Sequence, residues 1–194
     1  MKTTSPLFAA TLLLAAMATC ARADISIVAP TLPNANVGTL VSAPVSMSNV
    51  SDLYAWQFDL SFDPIILQLT SIQEGPLLGS GGGPTVFIPG AIDNTAGTAV
   101  FTLDTLVGPV PGVSTNGIAV FFNFDPINTG TSPLDLSNVV LLDSSLNDIP
   151  FTVTNGSVDV AAVPEPSIPR WAMGIAVLGL IVIQRRLAAR KRAA

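Results

Sequence analysis

The side chains that could do chemistry between Asp24 and Val163 are carboxylates without counter-charges: twelve Asp and Glu residues against no Lys, Arg, His or Cys. That composition removes Ser-His-Asp and Cys-His nucleophiles, Schiff-base lysines and any basic clamp for phosphate. Two acids about 5–10 Å apart can still hydrolyse a glycoside. Asp59, Asp63, Asp104, Asp125, Asp135 and Asp143, however, mostly fall at expected strand ends or solvent faces, where carboxylates are ordinarily just solvated. No nucleophile–base pair emerges from them, so no enzyme activity is expected.

Oxygen ligands alone exclude zinc and leave calcium as the metal to consider. Asp143-Ser144-Ser145-Leu146-Asn147-Asp148 is the densest oxygen cluster. It lacks the alternating acids and central glycine of an EF-hand loop, and Asp and Asn side chains build such turns by capping their own backbone. The turn is the preferred reading, and neither metal nor cofactor is expected. Sugar binding would need exposed aromatic rings. The stretch holds one Trp and one Tyr, Trp56 and Tyr54, both on the apolar face of a single expected strand, which places them in a core. Phe122 and Phe124 share a face with Val120. Phe121 points the other way, beside Asn123, and is the aromatic expected on an exposed patch or under a covering loop.

The elements that position these residues read as all-β. Leu53 to Phe62 alternates strictly, with Tyr54, Trp56, Phe58, Leu60 and Phe62 on one side and Ala55, Gln57, Asp59 and Ser61 on the other. Further strands are expected at 25–29, 39–48, 65–73, 85–88, 98–104, 117–125, 137–142 and 151–160, separated by Gly, Pro and Asx turns. Phe-Asp-Pro recurs at 62–64 and 124–126, each time as an aromatic closing a strand before a turn. Nine short strands in a domain of this length predict a two-sheet jelly-roll β-sandwich over residues 24–160.

All eight basic residues lie outside that domain: Lys2, Arg22, Arg170, Arg185, Arg186, Arg190, Lys191 and Arg192. Twelve acids and no base give the domain a formal charge of −12, which the whole-chain value of −5 conceals. Nucleic acid and anionic lipid surfaces are thereby excluded as partners, whereas cations, basic protein surfaces and neutral polymers are allowed. The same acidity also serves solubility outside a cell.

Both ends carry addresses. Lys2, the apolar Leu7–Met17 stretch and the small residues Ala21 and Ala23 around Arg22 form a signal peptide over residues 1–23, cleaved by signal peptidase to leave Asp24 first. A competing lipoprotein site at Cys20 lacks the usual leucine and small residue before it. A linker over 161–170 contains Val163-Pro164-Glu165-Pro166-Ser167, whose two prolines keep it extended and accessible. Next comes a transmembrane helix at 171–184. Its thirteen apolar residues, Trp171 to Ile183, span only about 20 Å, so Arg170 and Arg185 must help by snorkelling. The basic tail at 185–194 holds that end in the cytoplasm. Motif, span and basic cluster in this order resemble the PEP-CTERM sorting signal. That resemblance implies processing by an exosortase-type enzyme, transient anchoring in the inner membrane, and delivery to the cell surface or extracellular matrix.

The strands resemble a second family. Tyr54 to Ser71, with Trp56-Gln57-Phe58-Asp59-Leu60-Ser61-Phe62-Asp63-Pro64, is similar to the strand–Asp-Pro–strand unit of cohesin-like domains. So are Gly117–Phe124, Ser132–Val139 and Phe151–Val158 with the Asp143–Pro150 stretch before the last. The resemblance covers residues 24–160. It implies a nine-stranded jelly-roll related to carbohydrate-binding modules, of a kind whose cellulosomal members bind dockerin modules. Two functions follow as expectations: an exported, non-catalytic surface or matrix protein that binds a protein or polymer partner, or a carbohydrate-binding module acting on polysaccharide.

Overall fold

A computed structural model describes residues 24–162. The cleavage residues Ala21 and Ala23, the Val163–Ser167 motif, the 171–184 span and the basic tail lie outside the described residues. Among the described residues no helix is long and apolar enough to cross a membrane.

The described chain is a two-sheet β-sandwich with twelve strands: β1 (Ile25–Val28), β2 (Thr31–Asn36), β3 (Val41–Ser48), β4 (Leu53–Ser61), β5 (Leu67–Glu74), β6 (Thr85–Ile88), β7 (Ala91–Asp93), β8 (Thr98–Leu106), β9 (Gly117–Pro126), β10 (Gly130–Asp143), β11 (Phe151–Thr154) and β12 (Gly156–Ala161). One sheet runs β11-β1-β3-β9-β5. The other runs β2-β12-β10-β4-β8-β6, with β7 on part of β8.

Twelve strands replace the nine expected, and each difference has a local cause. β2 and β7 escape pattern reading because one is a polar edge with a central Pro33 and the other has three residues. β10 starts at Gly130 rather than 137, since Pro133 and Gly130 resemble a turn yet pair with Ser157 and Val160 of β12. The expected strand at 151–160 is two strands in different sheets. β11 runs parallel to β1, with Ile25 opposite Phe151, and β12 runs parallel to β2, with Thr31 opposite Ser157. The two chain segments cross from one sheet to the other side by side, tied by Ala29 N–H to Thr154 O at 2.9 Å and Ser157 N–H to Pro30 O at 3.1 Å. Gly156 permits that approach: a Cβ there would lie 2.0 Å from the Pro30 oxygen.

The core fills the space between the sheets. Trp56 stacks on Phe58 with centroids 4.8 Å apart, and Phe58 lies 6.3 Å from Phe122. The two Phe-Asp-Pro copies meet across the sandwich, where Phe62 packs edge-on against Phe124 at 5.2 Å. Their turns differ from expectation. Asp63 does start one, its Oδ1 accepting the Ile65 N–H at 2.8 Å. Asp125 and Pro126 instead remain in β9, paired with Gln68 and Leu67.

Candidate partner-docking face

The regular alternation of β4 sets two faces of its sheet. Trp56, Phe58 and Leu60 point inward and are buried, leaving Ala55, Gln57, Asp59 and Ser61 outward. Directly paired residues share a face, so the strand registers extend this outward set into rows. Val86, Thr105, Ala55 and Leu142 form one row across β6, β8, β4 and β10. Ile88, Leu103, Gln57 and Val140 form the next. Ala55, Gln57, Leu103, Val140 and Leu142, together with Trp56 and Asp104, line a shallow depression of about 170 Å³ in the middle. Val86, Ile88 and Val140 are 48%, 41% and 40% exposed, values that mark a face with apolar side chains in solvent.

A third row is irregular. Phe58 opposes Thr102 while Leu60 opposes Ala99, so Val100 and Phe101 both face Asp59 in a β-bulge. On the other side, Ser137 opposes Asp59 and Val140 opposes Gln57, leaving Asn138 and Val139 as a second bulge. Each bulge contains a residue with positive φ, Phe101 at 62° and Asn138 at 50°. Asp59 braces both: Oδ1 accepts the Phe101 N–H at 2.7 Å and Oδ2 accepts the Asn138 side-chain amide at 2.6 Å. The bulge in β8 also turns Phe101 out, 53% exposed.

That same bulge changes the assignment of Asp104, which was expected among acids at strand ends and on solvent faces. Thr102, Asp104 and Leu106 face inward and are buried, with no measurable exposure for Asp104. Asp104 occupies an inward row with Phe87, Trp56 and Leu141. Both of its carboxylate oxygens and the indole Nε1 of Trp56 are without a hydrogen-bond partner among the described residues. Burial, reinforced by the charge of Glu74, pushes the Asp104 carboxyl up to about 7. Asp59, Asp125, Asp135 and Asp143 are all partly exposed, and Asp63 likewise.

The Asp143–Asp148 cluster is a capped turn. Asp143 Oδ1 accepts the N–H groups of Ser145 and Asn147 at 2.8 and 2.9 Å, and Leu146 takes a φ of 61°. Among the described residues, no group of three or more His, Cys, Asp and Glu is placed to hold a metal ion.

The aromatic residues do not build a sugar platform. Trp56 is buried, as expected. Tyr54 is half-buried, and its hydroxyl donates to the Gly108 carbonyl at 2.7 Å. Phe121 is half-buried on the outward side of the other sheet, opposite Pro44 and Gln73. Phe101, which pattern reading missed, is more exposed than any of these.

A family model described as the cohesin domain matches residues 27–160. The chain is 29% identical over 132 residues to cellulose-binding protein A of Clostridium cellulovorans, a match over 66% of this chain and 7% of that protein's length. Among solved structures it resembles the non-cellulosomal cohesin of the archaeon Archaeoglobus fulgidus, with a TM-score of 0.58 and 16% identity over 72% of this chain and 92% of that one. It also resembles the sixth cohesin of Acetivibrio cellulolyticus scaffoldin B, solved in complex with the Cel5 dockerin, with a TM-score of 0.59 and 20% identity over 72% and 100%. A Clostridium thermocellum OlpC cohesin, in complex with the dockerin Doc435, aligns with a TM-score of 0.61 and 12% identity over 72% and 95%. The family model spans most of the chain and the two-sheet sandwich agrees with it: the chain belongs to the cohesin domain family.

Proposed function

We propose that this domain is a non-catalytic docking module that receives a dockerin-type protein partner on the outward face of β10, β4, β8 and β6. The observation that carries this reading is the pair of continuous rows, Val86–Thr105–Ala55–Leu142 and Ile88–Leu103–Gln57–Val140, which offers apolar contact on a flat sheet with Asp59 at its margin. A flat face suits another protein surface, whereas a sugar chain needs exposed rings or a cleft. The carbohydrate-binding alternative therefore loses its main support, because Trp56 lies in the core. Similar cohesins have been solved with dockerins bound, which supports the choice of partner class.

The test is a binding titration of the protein against a panel of dockerin modules, with Leu103→Glu and Val140→Glu as face variants. Both substitutions put a charge where apolar contact is proposed, and each should weaken binding at least tenfold. Binding that persists in both would move the site elsewhere, and a panel without any binder would remove the dockerin reading.

The chain is further proposed to be exported and sorted at the cell surface by an exosortase-type enzyme. The support is the order of the signals: small residues Ala21 and Ala23, a domain whose first strand begins at Ile25, then Val163–Ser167, an apolar run and a basic cluster.

A further inference from the structure

Asp104 is a buried carboxylate in a domain that has nothing to neutralise it. Residues 24–162 contain no Lys, Arg or His, so no cationic side chain of the domain can approach it. The strands on either side present Trp56 from β4 and Phe87 from β6, and the charged group acting on it from β5 is Glu74, another carboxylate. Directly opposite side chains in an antiparallel pair stand about 4.5–5.5 Å apart at Cβ, so Asp104 and Trp56 are inward neighbours across the β4–β8 pairing. The indole N–H is a donor and can only meet an acceptor. The Asp104 oxygens are acceptors, and a protonated carboxyl adds one donor. Among the described residues, neither Trp56 Nε1 nor either Asp104 oxygen has a hydrogen-bond partner.

We propose that Asp104 and Trp56 form a buried carboxyl–indole pair whose protonation state governs how tightly β6 and β8 hold to β4, and through them the shape of the outward face. With the proton on, the pair is neutral and the sheet closes over it. With the proton off, an uncompensated charge faces Trp56, Phe87 and Glu74, and the inexpensive relief is to loosen the sheet edge and admit water. The edge is built to give way there. β6 has four residues and, among the described residues, pairs only with β8, and Glu74 reaches it by accepting a hydrogen bond from the Thr85 hydroxyl at 2.7 Å. Leu103 and Thr105, which flank Asp104 in the chain, belong to the two outward rows. The effect on a partner rests on the docking reading above; the switch itself does not.

The test uses the full chain labelled with 5-fluorotryptophan, Trp171→Phe assigning the two resonances. Between pH 5 and 9 the Trp56 fluorine signal should move with a midpoint near 7, and hydrogen-exchange protection of residues 85–88 and 98–106 should fall over the same interval. Both changes should vanish in Asp104→Asn. In Glu74→Gln, an exposed site that leaves the core intact, the midpoint should move to lower pH because a repelling charge is gone. A Trp56 signal that stays still, one that moves equally in Asp104→Asn, or a midpoint unmoved by Glu74→Gln would overturn the proposal. So would a midpoint that shifts with added calcium, since the pair would then be a cation site. None of these readouts needs a partner, so a failure here leaves the docking assignment to its own titration.

Discussion

Asp59 reaches from β4 to accept the backbone N–H of Phe101 at 2.7 Å, and this bond holds an exposed phenylalanine at a φ of 62°. A bulky residue in that region is strained, and its bulge is kept in place by the carboxylate together with the neighbouring pairs. Asp59→Ala should cost about 1.5–3 kcal/mol in urea unfolding, the usual loss for a hydrogen bond to a charged group. It should lower partner affinity by more than Leu60→Val does, because the bulge shapes the outer face while Leu60 lies beneath it.

Trp56 is stacked on Phe58 and is 2% exposed, so truncation leaves a large void. Trp56→Ala should destabilise the domain by about 3–5 kcal/mol, measured as a lowered urea midpoint at unchanged slope. A near-neutral result would place the ring at the surface and revive sugar stacking.

Gly156→Ala should be among the most damaging small substitutions. Its Cβ would meet the Pro30 oxygen at 2.0 Å and the Ala29 oxygen at 2.7 Å, backbone atoms of the link between β1 and β2 that the pairings on either side hold in place. Gly38→Ala makes the control, for it has φ +74° with nothing within 4 Å and should lose only about 1 kcal/mol from backbone strain. Thermal melts of the two variants should differ widely, and equal melts would contradict the side-by-side crossing.

The pH dependence of stability follows from Asp104. Its folded value lies above its ordinary one, so between 3.8 and about 7 the folded state holds a proton that the unfolded state has released. The contribution is fully present below 3.8 and is lost as pH rises through 7. Asp93 acts in the opposite sense, since the Ala96 and Thr95 N–H groups lower its value and its contribution disappears in acid. Urea midpoints from pH 4 to 8 should therefore decline toward neutrality in the parent protein and stay nearly level in Asp104→Asn.

Processing is checked by intact mass of material recovered from the producing cells. The expected protein begins at Asp24 and lacks the chain beyond the Val163–Ser167 motif. A mass that includes Trp171 onward would mean an ordinary tail anchor, and a lipid on Cys20 would replace the signal-peptidase site.

The strands with strict alternation were legible from the chain. β4 from Trp56 onward and β9 from Val120 onward keep period two, so the inward positions of Trp56, Phe58, Phe122 and Phe124 follow directly. The outward face was less legible because bulges reverse the pattern within a strand. In β8, Ala99, Phe101 and Leu103 read as one apolar side. The extra residue at the bulge leaves Ala99 inside, turns Phe101 and Leu103 out, and brings Thr102 and Asp104 in. No local signal announces such an insertion except the apolar run Ala99-Val100-Phe101, opposite a lone acid 42 residues before Phe101 in the chain. The split of 151–160 was hidden for another reason: Asn155-Gly156 looks like an interruption within one strand until β1 and β2 show the same change of sheet at Ala29-Pro30.

The parallel pairing of β1–β2 with β11–β12 also decides how the domain bears load. Ile25 lies level with Phe151 and Ala161 level with Asn36, so the first and last strands enter at opposite ends of one paired ribbon. Tension applied between the two ends pulls these segments along each other in shear. Hydrogen bonds across both pairings are then stretched together instead of being unzipped one at a time, and the close contact at Gly156 blocks sliding. A module strung between a cell and a partner would resist being drawn out along that line far better than being peeled from the β6 edge.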